Sequence, residues 1–204
     1  MTRPSAAARL MPDAGRVIGG SARGTRLLAP GPGTRPLTDR VKEALFAILE
    51  GATLAPWPVP FLDGFAGSGA AGIEALSRGA PAALFVERDR AACRVIHANL
   101  ERVEAGVLAR VVPADVVRLL ETGRPQELGG PFGAALLDPP YGDATLEVAL
   151  ERLGDPDRGW LRDQAVVVAK HFWRDVPVER PGCLVRRRER RFGETQLSFY
   201  AREA

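Results

Sequence analysis

The stretch from Phe132 to Tyr141 places the tightest limits on what this chain can fold into. It opens uncharged, Phe132-Gly133-Ala134-Ala135-Leu136-Leu137, and closes on Asp138-Pro139-Pro140-Tyr141. A short uncharged run between Gly130-Pro131 and Pro139-Pro140 reads as a buried strand. Two prolines cannot continue a hydrogen-bonded ladder, so the strand stops at Asp138. A prolyl ring also holds the residue before it extended, which fixes Asp138 and Pro139 in a stiff turn. A carboxylate, backbone carbonyls and a tyrosine ring therefore gather at the carboxyl end of a strand. In open α/β sheets ligands bind at that edge.

Upstream, the same arrangement recurs. Val59 to Asp63 is a short apolar strand, followed by Gly64-Phe65-Ala66-Gly67-Ser68-Gly69 and a helix from about Ser68 to Arg78. Strand, glycine loop and helix in succession suit a nucleotide-type cofactor, because glycines admit a ligand to the backbone and the helix start offers free N–H groups. The next strand, Ala82 to Val86, ends at Glu87, where a carboxylate can bind ribose hydroxyls. A helix from Asp89 to Val103 follows, amphipathic through Ala92, Val95, Ile96 and Leu100. A third strand, Val111 to Asp115, ends in another acid, and a weak helix spans Val116 to Glu121. Beyond Tyr141 the pattern predicts a helix over Thr145 to Leu153 and a strand over Gln164 to Ala169 that reaches Lys170 and His171. Two last strands are expected over Cys183 to Arg188 and Thr195 to Tyr200, with Arg190 to Glu194 as the loop between them.

Charge is unevenly placed. Eight basic residues stand against Asp13 and Asp39 between Met1 and Lys42, and six arginines against Glu189 between Arg180 and Arg191. Arginine forks match phosphate and stack on bases, so a polyanion partner is plausible. Residues 1–15 read as a disordered leader, and 16–36 as a small basic β-hairpin plus linker. Arg16, Arg23 and Arg26 in the hairpin, and Arg35 in the linker, are the candidate nucleic-acid contacts. A hairpin this small must dock on something. Residues 37–204 form the main domain, starting with a helix near Thr38 or Asp39 that carries Val41, Leu45, Ile48 and Leu49 on one face. No run of 18 apolar residues exists, so no membrane span is expected, and two cysteines argue against a disulfide framework or a zinc site. A monomer in a reducing cytoplasm is the simple expectation. His97, on a helix, and Trp57, Trp160 and Trp173 read as structural, whereas His171 stands near enough to the site for a substrate contact.

Together these motifs resemble class I S-adenosylmethionine-dependent methyltransferases. The D-G-F-A-G-S-G loop at Asp63 to Gly69, then Glu87, Asp115 and D-P-P-Y, come in that family's order. D-P-P-Y resembles the signature of enzymes that methylate exocyclic amino groups. The likeness is closer still to the bacterial 16S ribosomal RNA guanine-N2 methyltransferases of the RsmD type. It runs through R-V-I-G-G-S-A-R-G at Arg16 to Gly24 and R-P-L-T-D-R-V-K-E-A-L-F at Arg35 to Phe46. It continues through G-I-E-A-L-S-R-G-A at Gly72 to Ala80 and F-G-E-T-Q-L at Phe192 to Leu197.

The resemblance implies a Rossmann-like α/β fold, with a seven-stranded, mostly parallel sheet and a terminal antiparallel hairpin. It implies S-adenosylmethionine as cofactor and 16S ribosomal RNA, within the assembling small subunit, as partner. Asp63, Phe65, Gly67 and Gly69 would hold the methionine part of the cofactor, and Thr38 and Arg40 its carboxylate. Glu87 would take the ribose and Asp115 the adenine. Asp138, Pro139, Pro140 and Tyr141 would be catalytic. Other readings stay open: an amino methyltransferase acting on adenine or cytosine in DNA or RNA, a protein-amide methyltransferase, a nicotinamide-dependent oxidoreductase, or a non-catalytic RNA-binding factor. The glycine loop, G-x-x-G-x-G rather than G-x-G-x-x-G, speaks against the oxidoreductase.

Overall fold

In the computed structural model, residues 13–31, 37–51, 57–142 and 144–203 are described. The chain runs β1 (Asp13–Arg16), β2 (Arg26–Leu28), α1 (Asp39–Glu50), β3 (Phe61–Gly64), α2 (Ala70–Ser77), β4 (Ala83–Glu87) and α3 (Arg90–Arg102). It continues as β5 (Ala109–Pro113), α4 (Val116–Glu121), β6 (Phe132–Leu137), α5 (Thr145–Leu153), β7 (Leu161–Phe172), β8 (Leu184–Phe192) and β9 (Thr195–Arg202).

Seven strands make one sheet in the order β5-β4-β3-β6-β7-β9-β8. β3 pairs in parallel with β4 on one side and β6 on the other. β9 runs antiparallel to both β7 and β8. This is the expected architecture. β3 and β6 are buried at every residue, as a parallel sheet covered on both faces requires. One face packs on α1, α2 and α3 through Leu45, Phe46, Ile73 and Ile96. The other packs on α4 and α5 through Val116, Leu120, Leu150 and Leu153, with Trp160 sealed beneath them. From β3 the chain winds outward through β4 and β5, then returns to start β6 on β3's other side. The crevice outside the ends of β3 and β6 is thus the switch point of the sheet, where ligands of such folds bind.

Several boundaries differ from the sequence reading. β7 has twelve residues, far beyond Gln164 to Ala169. β6 pairs with it at Leu161 and from Val166 to Ala169, and antiparallel pairing with β9 carries it on to Phe172. β8 likewise runs on to Phe192, so only Gly193 and Glu194 form the turn, with Gly193 at a φ of 60°. Arg190, Arg191 and Phe192 are strand residues, not loop. At the other terminus β1 begins at Asp13, before the expected hairpin start at Arg16. Residues 1–12 of the expected leader lie outside the described residues, as do most of the linker and Arg35.

The small hairpin docks on α2. Glu74, fully buried, accepts the N–H groups of Ile18 and Gly19 at 2.8 Å each and pairs with Arg78 Nε at 2.7 Å. Ser21 N–H donates to the Ser77 carbonyl at 2.8 Å, and Gly20 meets that carbonyl too closely for any side chain there. Asn99 of α3 holds β2 at both Leu28 groups. Breaking a buried charge pair that also satisfies backbone donors costs about 3–5 kcal/mol. Glu74→Ala is therefore expected to lower the unfolding free energy by about that amount, read from urea denaturation. A loss under about 1 kcal/mol would show that the hairpin contributes little to stability.

Candidate active site

A cavity of about 630 Å³ opens at the carboxyl edge of the sheet, a volume suited to a nucleoside-sized ligand. Asp63, Phe65, Gly67, Glu87, Asp115 and Asp138 all line it. Their placement follows from the topology: β3, β4, β5 and β6 are parallel neighbours, so their last residues face one opening.

The walls are held rigidly. Asp63 is buried at the end of β3 and accepts the Gly72 N–H at 2.8 Å, which fastens the first turn of α2 to the strand. Gly72 itself lies against the Phe85 ring with no room for a Cβ. Phe65 takes a left-handed φ of 63°, turning the chain sharply where the glycine loop begins. Glu87 accepts the N–H groups of Gly67 at 2.9 Å and Asp89 at 2.8 Å. Each carboxylate oxygen keeps a lone pair for a hydroxyl ligand. Asp115 caps α4 by accepting the Arg118 N–H at 3.1 Å, so it stands just past β5 rather than on it.

Burial pushes the Asp63 carboxyl up to about 8, with the Asp138 and Glu87 carboxylates adding to the shift and the Gly72 hydrogen bond opposing it. Asp63 is thus mostly protonated at neutral pH.

At the other side of the opening stands a buried ion pair. Lys170 Nζ donates to Asp138 Oδ1 at 2.6 Å, with the lysine side chain 8% and the aspartate side chain 21% exposed. Burial raises the Asp138 carboxyl, and the Lys170 ammonium opposes that rise. The same ammonium stands 5.1 Å from the centre of the Tyr141 ring. Tyr141 is braced by its hydroxyl against Thr195 Oγ1 at 2.7 Å and by the Phe172 ring at 6.2 Å. Pro139 is buried and Pro140 exposed. A second, smaller cavity of about 300 Å³ lies on the far side of Pro139, Pro140 and Tyr141, against Leu146 and Phe172.

Thr38 and Arg40 are not among the lining residues. Thr38 is exposed before α1, and Arg40 points to the Phe192 ring, 5.8 Å from its centre. Leu37 is the residue of that segment that reaches the cavity wall. Gly69 sits behind the loop, at a φ of 77°, starting α2. Arg16 and Arg26 pair with Asp39 and Asp13 at 3.2 and 2.7 Å, while Arg23 is exposed. Both His171 ring nitrogens are engaged, with Ser198 Oγ at 2.9 Å and the Phe172 carbonyl at 2.8 Å. Lys170 is the site residue that sequence reasoning passed over. A signal existed: the chain has two lysines among 28 basic residues, and both are buried. A compact ammonium fits where a guanidinium does not.

Comparison with known proteins agrees with this geometry. Residues 15–201 match the family model described as Conserved hypothetical protein 95. Ribosomal RNA small subunit methyltransferase D of Escherichia coli K12 is 38% identical over 192 residues, 93% of this chain and 90% of that protein. This chain belongs to that methyltransferase family. The solved structure of yhhF from Escherichia coli superposes with a TM-score of 0.75 at 37% identity, covering 93% of this chain and 98% of that one. A ribosomal protein L11 methylase from Lactobacillus delbrueckii shares the fold, with a TM-score of 0.60 at 16% identity, over 85% of this chain and 84% of that one.

The shifted Asp63 carboxyl makes a testable mark on stability. Unfolded, Asp63 loses its proton near pH 4, whereas folded it keeps the proton to about pH 8. The unfolded state binds fewer protons across that window, so the Asp63 contribution is full below it and fades as pH rises through it. Asp63→Asn keeps the acceptor for Gly72 but does not titrate. The stability of the native chain relative to this variant is expected to fall steadily between about pH 4 and about pH 8, measured by denaturant titration. A pH-independent difference would mean that Asp63 is ionised in the folded protein.

Proposed function

We propose that this chain transfers the methyl group of S-adenosylmethionine to the exocyclic N2 amine of a guanine in 16S ribosomal RNA. The observation that carries this reading is the position of Asp138-Pro139-Pro140-Tyr141 at the rim of a cavity walled by Asp63, Glu87 and Asp115. Family membership supports it, because the Escherichia coli relative is named a small-subunit ribosomal RNA methyltransferase.

The cavity fits the cofactor on the chemistry of its walls. Glu87 offers two acceptor oxygens for ribose hydroxyls and Asp115 an acceptor for an amino group. The turn at Phe65 to Gly67 exposes backbone to the ligand. The cofactor supplies an activated methyl group, so the protein's task is to align the acceptor with it.

Asp138 carries most of that task. Lys170 occupies Oδ1 and leaves Oδ2 available, so one N–H of the incoming amine can donate to Oδ2 and the other to the Pro139 carbonyl. With both N–H groups held, the nitrogen lone pair, otherwise delocalised into the ring, turns toward the methyl group. The proton can leave after transfer, so no strong base is required. Tyr141, clamped by Thr195 and Phe172, provides a fixed stacking surface for the base. A base within a helix cannot reach this opening, so the target must be unpaired or flipped.

Lys170 has a definite part in this scheme. An unpaired carboxylate buried beside Asp63 would take up a proton and lose its capacity to accept. The ammonium opposes that protonation and holds the carboxylate's orientation.

Asp138→Ala is expected to abolish methyl transfer, a loss of at least about 100-fold, while cofactor affinity by calorimetry changes little. Wild-type turnover in this variant would place the chemistry elsewhere. Lys170→Met removes what holds the Asp138 carboxyl down. Its activity should therefore decline at a higher pH than that of the native enzyme as pH is lowered, and an identical pH–rate profile would refute the role given to Lys170. Substrate identity is tested by incubating the protein with labelled cofactor and naked ribosomal RNA, small subunits or DNA, then mapping the modified base. Label on N2 of one guanine in 16S RNA is expected; label on DNA alone, or on adenine or cytosine, overturns the assignment.

A further inference from the structure

We propose that the end of β7 and the β8–β9 turn form a binding platform for single-stranded RNA beside the target base. The proposal rests on the reading of the chain as an RNA methyltransferase and names a contact surface for that substrate outside the basic N-terminal hairpin.

Trp173, immediately after β7, is only half-buried. Its N–H donates to the Glu194 carbonyl at 3.0 Å, which fixes the residue against the β8–β9 turn. The guanidinium carbon of Arg191 lies 3.8 Å from its ring centre, and that of Arg174 lies 4.8 Å away. Trp173 is next to Phe172 at 6.2 Å between rings, and Phe172 is next to Tyr141 at 6.2 Å. A continuous row of rings thus runs from the active site to a pair of guanidinium groups over Trp173. Successive strand residues face opposite ways, and Phe192, next to Arg191 on β8, meets Arg40 of α1 at 5.8 Å. The turn therefore carries an arginine–aromatic pair on each face.

Charge is what separates this patch from ordinary packing. Arg40, Arg174 and Arg191 make no ion pair with any described residue. Other arginines near β8 are paired: Arg186 with Glu189, and Arg180 and Arg187 with Glu203. Within the N-terminal hairpin Arg16 and Arg26 are also spoken for. A guanidinium over an indole can still direct N–H groups at phosphate oxygens; Arg191 spends its Nε–H on the Gly193 carbonyl at 2.9 Å, which orients the group. Flat rings and flat cations in a row serve bases whose faces are open. A duplex hides those faces, so the fit is to a single strand or loop. That is also the state a target base must reach to enter the site.

The test uses the full-length enzyme and a fluorescent single-stranded RNA carrying the mapped target guanine. Affinity is titrated at several salt concentrations for the native protein, Arg174→Ala/Arg191→Ala, and Trp173→Ala. The double variant should bind at least tenfold more weakly. Its slope of log affinity against log salt should be shallower by about 1.4, the change for two phosphate contacts on a single strand. Trp173→Ala should bind about tenfold more weakly with a smaller change in slope, because stacking depends little on salt. Affinity for S-adenosylmethionine should match the native value in all variants, which shows that the fold and the cofactor cavity are intact. Native RNA affinity and native slope in the double variant overturn the proposal. So does a defect confined to assembled subunits with naked RNA binding unchanged, which would assign the patch to a protein partner. Failure of the native enzyme to bind or methylate any RNA instead overturns the functional reading itself.

Discussion

The site depends on the parallel pairing of β3 with β4 and with β6. β3 is short and wholly buried, and it binds a strand on each side in parallel register, Asp63 level with Phe85 and with Leu136. Parallel neighbours end at the same edge. That single constraint brings Asp63, Glu87 and Asp138 to one opening although they are spread over 75 residues of sequence, from 63 to 138. The strand order then reverses at β3, which leaves a crevice there rather than a covered edge.

Gathering carboxylates in this way creates an electrostatic problem, and the structure meets it by two means. Asp63 is buried deeply enough to hold a proton near neutral pH. Asp138 is paired with Lys170. Burial thus favours the protonated form of the residue that anchors α2, while at Asp138 the Lys170 ammonium opposes the same effect. Glu87 has each of its oxygens held by a backbone N–H group.

Much of this was legible in the chain. Proline pairs, glycine clusters and short apolar runs marked β3, β4 and β6, because these signals act within a few residues. The acidic residues that end the strands could be placed because strand ends were visible. The limits of β7 and β8 were not, because their extra length comes from pairing with β9, and no local propensity records a partner strand. Thr38 and Arg40 were assigned to the cofactor by likeness alone, and the fold leaves one exposed and sets the other on Phe192. Trp173 read as packing, yet two arginines approach its ring.

The sequence by itself determined the succession of strands and helices along the chain, the glycine loop and the Asp138-Pro139-Pro140-Tyr141 corner. Each of these is written in contiguous residues whose backbone preferences and burial decide the outcome locally. Only the tertiary structure decided that Lys170 pairs with Asp138, that Thr195 braces Tyr141, and that Glu74 holds the N-terminal hairpin. Those contacts join residues 32, 54 and 56 or 55 positions apart. They exist because strand register and the docking of α2 on the hairpin bring distant groups within hydrogen-bonding range, and both are properties of the assembled elements rather than of any one of them.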